Sequence, residues 1–526
     1  MHDSAVVYSA SLSALQNTTV DITVSATPCK YRLIDCAQFL DHDTLAIHEF
    51  QDLPAREYAT ISYVWRGLGV DSNHTSGEKY GTFTIRGATN GDPMSIDVLR
   101  HACTAAAQKE AKFIWLDGLC ILQSNDNDKA WQIRRMYHIY QSSALCIVLP
   151  GGMRRLAQVD EETTWIQRSW TLQEVLAPKM SNVMVLFAWT YGEALSIAST
   201  SAQFNYKEVV PGQSAACPLQ DALSTHSGNI YELKTERKTF KFFSTTLFGR
   251  EKSYVSTLLA VLDNGGLENA GSVQAVWQCS LMRTCTYPVD AVFSIMGLFG
   301  VSLDPLRFKP DDRRGATIAL AAEILRNGGR ADWLAAALDL PPEKGVSALP
   351  ALPRVNPIGN ATLVTEEGER PVAEILPWVG FGWVDGIPLG KMDEKGCFTF
   401  SSPAALLIPA GRQESGRIEN DEKTMHDATG KLQVIATNGT IWKIHIGDEE
   451  TYQQTRRSFI AFIGTLTHYT SAVFGCFVDP HPHRAILVEE HEDGRFHRTS
   501  SFILGTEFVP YIERCKSYEI CLAGLV

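Results

Sequence analysis

The chain lacks the cysteine pairs that mark metal ribbons and disulfide scaffolds. Its 526 residues include 12 cysteines, but these are scattered along the chain and no two of them form a CxxC pair. Such scatter is typical of a reducing compartment, where thiols stay free and are mostly buried. We therefore expect free thiols and a cytoplasmic protein.

Long apolar stretches are missing as well. The longest apolar runs, such as Val183–Trp189, have the length of a strand, whereas a membrane span needs about 18 apolar residues or more. Residues 1–30 are rich in Ser, Ala and Thr, and they lack the basic start and apolar core of a secretory signal. We expect no membrane span, and we expect residues 1–30 to form a flexible segment.

Basic residues are fewer than acidic residues. The chain has 47 Lys and Arg against 59 Asp and Glu, which gives a formal net charge of −12. Nucleic acids and anionic membranes attract proteins with a strong positive field, so neither is expected as a general partner. A GxxxxGK[ST] phosphate loop is also missing, because Gly151-Gly152 has the pattern of a simple turn.

What the sequence does contain is an alternation of strand and helix patterns between residues 58 and 189. The predicted strands are Ala59–Trp65, Phe113–Asp117, Ala144–Leu149 and Val183–Trp189, and the predicted helices are Asp92–Ala111, Asp128–Ser143 and Thr163–Ala177. Alternation of this kind is typical of a parallel sheet covered by helices. The Gly-, Ser- and Asn-rich segment Gly67–Gly91 predicts a loop that carries a short hairpin around Thr82–Arg86.

The rest of the chain divides into three predicted parts. Residues 193–340 predict a helical region, with a strong helical pattern over Ala316–Asn327. Five prolines between Leu340 and Gly359 indicate an extended, Pro-rich linker over residues 341–360. Residues 361–526 predict a β-rich C-terminal module, because short apolar runs there are separated by the turn pairs Asn438-Gly439 and Asp493-Gly494.

Three blocks carry a more specific signal. They are Tyr58-Ala-Thr-Ile-Ser-Tyr-Val-Trp65, Phe113-Ile-Trp-Leu-Asp-Gly-Leu-Cys-Ile-Leu-Gln123 and Arg168-Ser-Trp-Thr-Leu-Gln-Glu174. In this order and spacing they closely resemble the heterokaryon-incompatibility (HET) domain of filamentous fungi, which we place at residues 31–192. Asp290-Ala-Val-Phe-Ser-Ile-Met-Gly-Leu298 resembles a block that often follows this domain. One departure is Arg66, since the family's first block usually runs from Trp directly to Gly.

The resemblance implies a fungal protein of nonself recognition whose activation ends in growth arrest or programmed cell death. The HET domain is distantly similar to the Toll/interleukin-1 receptor (TIR) domain, which implies a TIR-like α/β fold: a parallel sheet flanked by helices. Some TIR domains are signalling scaffolds, and others cleave NAD between ribose and nicotinamide. Three functions therefore stay open: self-association through the HET domain, an NAD glycohydrolase-like reaction with NAD as substrate and no resident cofactor, or another small-molecule transformation.

Two carboxylates are the candidate catalytic residues. Trp170 and Glu174 match the Trp-x-x-x-Glu pattern of NAD-cleaving TIR domains, in which the Glu is catalytic. A fixed carboxylate can stabilise the oxocarbenium-like ribose that forms when nicotinamide leaves, while Trp170, one helical turn away, forms an apolar wall or belongs to a buried stripe. Asp117 follows a predicted strand at the edge where parallel sheets bind ligands, and it serves either as a second carboxylate or as a cap.

Three further residues are candidates for substrate binding. Arg168 lies near the start of the same predicted helix, where it binds a phosphate or carboxylate or pairs with Glu161 or Glu162. Tyr63 and Trp65 share one face of the first predicted strand, so they are either core residues or the wall of a pocket.

The C-terminal module contains the densest histidine group, which consists of His481, His483, His491 and His497. Two histidines at i and i+2 on a strand face the same side and can share a metal ion. The neighbouring prolines favour an exposed turn instead, and no Cys or carboxylate stands at a recognised ligand spacing. We therefore predict no metal site, and we leave open whether this module binds a protein partner or a small ligand.

Overall fold

A computed structural model describes the chain except for residues 1–3, 70–79, 199–202, 227–230, 264–269, 337, 339, 366–367, 377–381, 413–423, 427–431, 446–451, 453, 469–482, 493, 506–507 and 526. The chain forms two compact units. The first unit comprises Met1–Leu262 and Arg283–Asp312, and the second comprises Asp263–Met282 and Arg313–Val526.

The strands alternate with helices in the first part of the chain and dominate its last part. The described strands are β1 Ser4–Ser11, β2 Thr19–Val20, β3 Tyr31–Asp35, β4 Thr44–Phe50, β5 Tyr58–Tyr63, β6 Thr82–Ile85, β7 Met94–Ser95, β8 Phe113–Trp115, β9 Leu145–Leu149, β10 Val183–Ala188, β11 Ala194–Ala198, β12 Gln203–Val210, β13 Ser214–Pro218, β14 Tyr231–Thr235, β15 Thr239–Phe243, β16 Pro342–Glu343, β17 Val346–Pro350, β18 Arg354–Val355, β19 Ala361–Thr365, β20 Gly368–Pro371, β21 Gly382–Asp385, β22 Gly390–Met392, β23 Phe398–Arg412, β24 Thr424–His426, β25 Leu432–Ile435, β26 Thr440–Ile444, β27 Ser458–His468, β28 His483–Glu492, β29 Arg495–Leu504 and β30 Ser517–Leu522. The described α-helices are α1 Leu12–Leu15, α2 Cys36–Asp41, α3 Ile96–Ala107, α4 Asp117–Cys120, α5 Asp126–Gln141, α6 Ser169–Leu176, α7 Leu219–His226, α8 Lys252–Asp263, α9 Ala270–Met282, α10 Asp290–Met296, α11 Arg313–Arg326, α12 Asp332–Ala336, α13 Val372–Ile375 and α14 Val509–Ile512.

The first unit is built on one mixed sheet with the strand order β1-β4-β3-β8-β5-β9-β10-β13-β12-β11-β14-β15. Its central strands β8, β5, β9 and β10 are parallel, and the strands outside them pair antiparallel. Every residue of β5 and β9 is buried, as expected for parallel strands covered on both faces. The α/β class and the four predicted strands between residues 58 and 189 are thereby confirmed.

In the sheet order β8-β5-β9-β10 the chain leaves β5 toward one side and returns to the other, so its direction across the sheet reverses between β5 and β9. From β5 the chain moves to β8 through α3, and it then returns past β5 to β9 through α5 and to β10 through α6. Because such crossovers are right-handed, α3 covers one face of the sheet while α5 and α6 cover the other. Sheets of this doubly wound kind bind ligands beyond the carboxyl ends of the strands at the point of reversal.

Two parts of the first unit differ from the sequence-based expectation. Ser4–Ser11, expected to be flexible, forms β1 and pairs along its length with β4. Its residues are exposed or half-buried, as in an edge strand that is held by backbone pairing. Such a strand needs no apolar side chains, so its sequence shows no apolar pattern. Residues 194–243, expected to belong to a helical region, mostly form the strands β11 to β15, which extend the sheet antiparallel.

The second unit contains the β-rich C-terminal part that the sequence predicts. Its main sheet has the order β21-β27-β28-β29-β30-β23-β26-β25-β24, and the ribbons with turns at Asn438-Gly439 and after Glu492 are present. The stretch expected to be a linker is instead part of this unit. Val346–Pro350 is buried throughout, and the backbone N–H of Arg498 donates to the Ser347 hydroxyl at 2.5 Å.

Within the second unit, the Gln274 side chain of helix α9 bonds to two neighbouring elements. The Gln274 amide donates to the backbone oxygen of Val384 at 2.8 Å, and its oxygen accepts the N–H of the same residue at 2.9 Å. The amide also donates to Asp332 at 3.1 Å. A buried glutamine that is satisfied in this way fixes α9 against β21 and α12.

Among the described helices, none is both long enough and apolar enough to cross a membrane.

A buried ion pair ties β3 to the start of α5. Arg32 and Asp128 have no exposed side-chain surface, and their Nη2 and Oδ1 atoms lie 2.7 Å apart. The Asp128 carboxylate also accepts the backbone N–H groups of Cys29, at 2.6 Å, and Leu122, at 2.9 Å. The carboxylate thus connects three chain segments around one buried cation.

Replacing Asp128 with Asn should destabilise the first unit by about 3–5 kcal/mol, because it leaves the Arg32 guanidinium buried without a counter-charge. Equilibrium urea unfolding followed by tryptophan fluorescence measures the change. The matched control is Asp126→Asn in the same helical turn, where the side chain is exposed and the change should stay within about 0.5 kcal/mol. Equal effects of the two variants would contradict the prediction.

Candidate functional site

A cavity of about 410 Å³ lies beyond the carboxyl ends of β5 and β8. Its floor is formed by Tyr63 at the end of β5, by Trp65 just after that strand and by Gly118 at the start of α4, while residues between 84 and 94 around β6 and β7 form other walls. The cavity lies at the carboxyl edge of the sheet, on the β8 side of β5, and its volume lies in the range of small-molecule sites.

Asp117 holds both aromatic side chains of the floor. The Trp65 indole N–H donates to Asp117 Oδ2 at 2.7 Å, and the Tyr63 hydroxyl donates to the same carboxylate. The backbone N–H of Gly118 donates to Asp117 Oδ1 at 2.6 Å. Burial raises the pKa of Asp117, and these hydrogen bonds oppose that rise. Asp117 therefore fixes the two rings, while the rings and not the carboxylate line the cavity.

The loop after Trp65 packs closely against the loop after β9. A Cβ atom on Gly67 would lie 2.0 Å from the carbonyl oxygen of Gly151, so only glycine fits at this position. The extra residue, Arg66, donates from Nε to the backbone oxygen of Asn90 at 2.9 Å. The inserted residue, Arg66, therefore lies between two groups that are held in place, the Trp65 indole and the Gly67 backbone.

Glu174 lies on the other face of β5. Its Oε2 accepts the Ser62 hydroxyl at 2.5 Å, and the Trp165 indole N–H donates to the same hydroxyl oxygen at 3.0 Å. Side chains of neighbouring residues on a strand point to opposite faces, so Ser62 with Glu174 and Tyr63 with Asp117 lie on opposite sides. Glu174 is 8% exposed and is not among the residues that line the cavity.

Burial raises the pKa of Glu174 to about 8. That pKa already includes the opposing effect of the Ser62 hydroxyl, a smaller upward effect of the Asp117 carboxylate, and the lowering effects of the Arg283 and Arg168 guanidinium groups. At neutral pH this side chain is therefore mostly a neutral carboxylic acid. In that state it does not supply the fixed negative charge that would stabilise an oxocarbenium-like ribose.

Trp170 and Arg168 pack against the segment that resembles the downstream block. The Trp170 indole donates to Asp290, whose pKa burial raises to about 6. The backbone oxygen of Arg168 accepts a hydrogen bond from Arg283 Nη1 at 3.0 Å. The guanidinium charge of Arg168 lowers the pKa of both Glu174 and Asp290. Trp170 is partly buried, and these residues form a network with α10.

Both carboxylates predicted as alternative partners of Arg168 pair with other arginines. Glu161 pairs with Arg155 at 2.6 Å, and Glu162 pairs with Arg250. The structure thus separates the predicted site residues into two groups. Tyr63, Trp65 and Asp117 surround the cavity floor, whereas Glu174, Trp170 and Arg168 belong to the interface between α6, the sheet and α10.

The sequence analysis did not assign roles to Ser62, Trp165 or Arg283. Arg283 is buried and donates to the Thr171 hydroxyl at 2.8 Å as well as to Arg168. Its signal in the sequence was weak, because a single arginine more than 100 positions away from its partners forms no local pattern. Ser62 and Trp165 had a stronger signal, since both stand in or beside the recognised blocks.

The three described histidines of this group are not all brought together. His483 lies at the start of β28 and contacts Thr465, whereas the rings of His491 and His497 lie 5.4 Å apart near the other end of that strand. His481 lies outside the described residues. Among the residues that the structure describes, no group of three or more His, Cys, Asp or Glu side chains is placed to hold a metal ion.

Comparisons with known proteins bear on the segment that contains the cavity floor. Residues 58–160 match the family model described as heterokaryon incompatibility protein (HET). Vegetative incompatibility protein HET-E-1 of Podospora anserina is 27% identical over 149 residues, which are 26% of this chain and 10% of that protein. The chain thus spans about a tenth of that relative's length. No solved structure matches, so the TIR-like character of the fold stays a prediction.

Replacing Glu174 with Gln should flatten the pH dependence of stability. The pKa of about 8 lies above the ordinary value of 4.5, so the folded chain binds this proton more tightly than the unfolded chain. The free energy of unfolding therefore falls by about 1.4 kcal/mol per pH unit as pH rises between these two values, because the stabilising proton is lost. Urea unfolding at pH values between about 5 and 9 compares the two proteins, and Glu162→Gln is the exposed control. Parallel profiles for wild type and Glu174→Gln would contradict the prediction.

Proposed function

We propose that this chain, which carries a HET domain, acts through that domain in heterokaryon incompatibility and that its activation ends in growth arrest or programmed cell death. The name of the HET-E-1 protein supports this role, since it describes a vegetative incompatibility protein. The free thiols of the described cysteines favour a cytoplasmic site of action. The second unit would bind the activating protein partner or ligand.

The leading mechanism is self-association of the HET domain without turnover. The observation that carries it is the placement of Glu174, whose carboxyl group is buried and bonded to Ser62. A catalytic carboxylate must reach the substrate, whereas Glu174 lies on the face of β5 that points away from the cavity. Its neighbours Trp165 and Ser62 give it the role of a core polar group that holds α6 on the sheet.

This mechanism predicts that Glu174→Gln keeps the activity and Glu174→Ala weakens it. The Gln amide oxygen still accepts the Ser62 hydroxyl, while alanine leaves that hydroxyl without its acceptor and opens a cavity. The measurement is growth of a fungal host that expresses the full chain at a high level, with immunoblots to compare protein abundance. Wild type and Glu174→Gln should both arrest growth.

Loss of arrest in Glu174→Gln at normal abundance would contradict the non-enzymatic mechanism, and growth unaffected by wild type would contradict the proposed role. Light scattering over a dilution series tests self-association of the same proteins. A toxic protein that stays monomeric at every concentration would contradict assembly through the HET domain.

A second candidate is cleavage of NAD at the bond between ribose and nicotinamide. The observation that favours it is the cavity, which lies at the ligand-binding edge of the sheet with Asp117 directly behind its floor. In this version Asp117 is the carboxylate nearer to a bound dinucleotide, and it acts by positioning Tyr63 and Trp65, whose rings line the cavity. Trp170 and Glu174 of the Trp-x-x-x-Glu pattern then serve only the fold. Recruitment of the fold for another small-molecule transformation would use the same cavity.

Free nicotinamide released from NAD tests the second candidate with purified full-length chain. If the reaction occurs at this cavity, Asp117→Asn should lower the rate by about 100-fold, whereas Glu174→Gln and the exposed control Glu162→Gln should change it by less than about threefold. A matching circular dichroism spectrum shows that Asp117→Asn is folded. Absence of nicotinamide release by wild type would contradict the candidate, and a loss confined to Glu174→Gln would transfer catalysis to Glu174.

A further inference from the structure

The cavity presents three chemical features to a ligand, and their combination is specific. They are the rigid aromatic floor, the cation of Arg86 and the carboxylate of Asp92, and all three belong to the lining of the cavity. From these features we infer that the cavity binds a nucleoside phosphate, with the base on the aromatic floor, the phosphate at Arg86 and the ribose hydroxyls near Asp92. The inference deepens the nucleotide-cleavage candidate and rests on the same edge of the sheet, although it requires binding alone.

The aromatic floor is suited to a planar ring. The polar atoms of Tyr63 and Trp65 already donate to Asp117, so the rings offer their apolar surfaces to the cavity. Their orientations are fixed before any ligand arrives, and stacking on preorganised aromatic rings costs little ordering entropy. Stacking of a base on an aromatic side chain contributes to binding whichever base is present.

Glycines next to the floor keep its rings in place. A Cβ atom on Gly118 would lie 2.7 Å from Met94 Cε and 2.9 Å from the Tyr63 hydroxyl, and one on Gly91 would contact the Trp65 ring at 3.6 Å. Larger residues at these positions would displace the rings or the cavity wall. The shape of the floor therefore depends on these two glycines.

Arg86 supplies the positive charge in the lining of the cavity. Its Nη1 lies 3.2 Å from Asp21 Oδ2, and its side chain is 66% exposed. The Asp21 carboxylate also accepts the backbone N–H and the hydroxyl of Thr23, which hold it in place. The ion pair engages one end of the guanidinium, so a phosphate can approach the rest of this planar donor group.

Asp92 supplies the acceptor for sugar hydroxyls. Its Oδ2 accepts the backbone N–H of Gly67 at 2.8 Å, which orients the carboxylate at the cavity wall. The backbone N–H of Asp92 donates to the oxygen of Trp65 at 2.7 Å, so this residue is fixed relative to the floor. An oriented carboxylate beside an aromatic wall is a suitable acceptor for vicinal hydroxyls.

Isothermal titration of the full chain with mononucleotides tests the inference. The probes are AMP, GMP, CMP and UMP, together with adenosine, which lacks the phosphate, and ribose 5-phosphate, which lacks the base. At least one mononucleotide should bind at one site per chain, about tenfold or more tighter than either fragment. Arg86→Gln should reduce mononucleotide affinity about tenfold, to that of the nucleoside.

The matched control is Arg250→Gln, which removes an 87% exposed arginine that pairs with Glu162 and should leave affinity unchanged. Binding of no mononucleotide, equal binding of ribose 5-phosphate, or unchanged affinity in Arg86→Gln would each overturn the inference. Mononucleotides contain no bond to nicotinamide, so the result is independent of turnover. NAD cleavage without mononucleotide binding would refute this inference alone, whereas binding without cleavage would support it and count against the enzyme.

Discussion

Both faces of β5 are covered by other elements, and none of its residues is exposed. Each polar side chain on this strand must therefore find its partner inside the protein, because an unpaired buried group costs the free energy of its lost hydration. On one face Ser62 is paired with Glu174 and Trp165, and on the other Tyr63 is paired with Asp117. These pairings determine where α6 and α4 lie relative to the strand, and with them the positions of the buried acid and of the cavity floor.

The central elements were predictable because their patterns are local. Short strand-like runs identified the parallel strands, and the 3.6-residue period identified α3 and α5 to within a few residues. The end of α6 was also found, but its start was not, because α6 begins at Ser169 and not at Thr163. The edge strands were not predictable in this way, since a strand such as Ser4–Ser11 depends on backbone pairing and leaves its side chains largely exposed. The prolines of residues 341–360 indicated a linker, but Val346–Pro350 is buried, pairs with β16 and accepts a hydrogen bond from the Arg498 backbone at Ser347.

The Trp-x-x-x-Glu pattern shows why a motif on one helix does not define a site. Its two residues lie one turn apart on α6, yet Trp170 donates to Asp290 on α10 and Glu174 accepts from Ser62 on β5. The spacing reports the periodicity of the helix, whereas the chemistry depends on partners more than 100 residues away in the chain. Tyr63 and Trp65 were candidates for a pocket wall, and they do line the cavity, because strand alternation and the end of β5 are both visible in the sequence.

The two units are interleaved along the chain, since Asp263–Met282 belongs to the second unit although residues on either side belong to the first. No single cut of the polypeptide can therefore separate them into intact halves. A fragment that ends at residue 312 would keep α9 but lose Val384 and Asp332, the partners of Gln274. The complementary fragment would lack α9 altogether. Producing either unit alone therefore requires Asp263–Met282 to be handled as a separate piece of chain, removed from one product and supplied to the other.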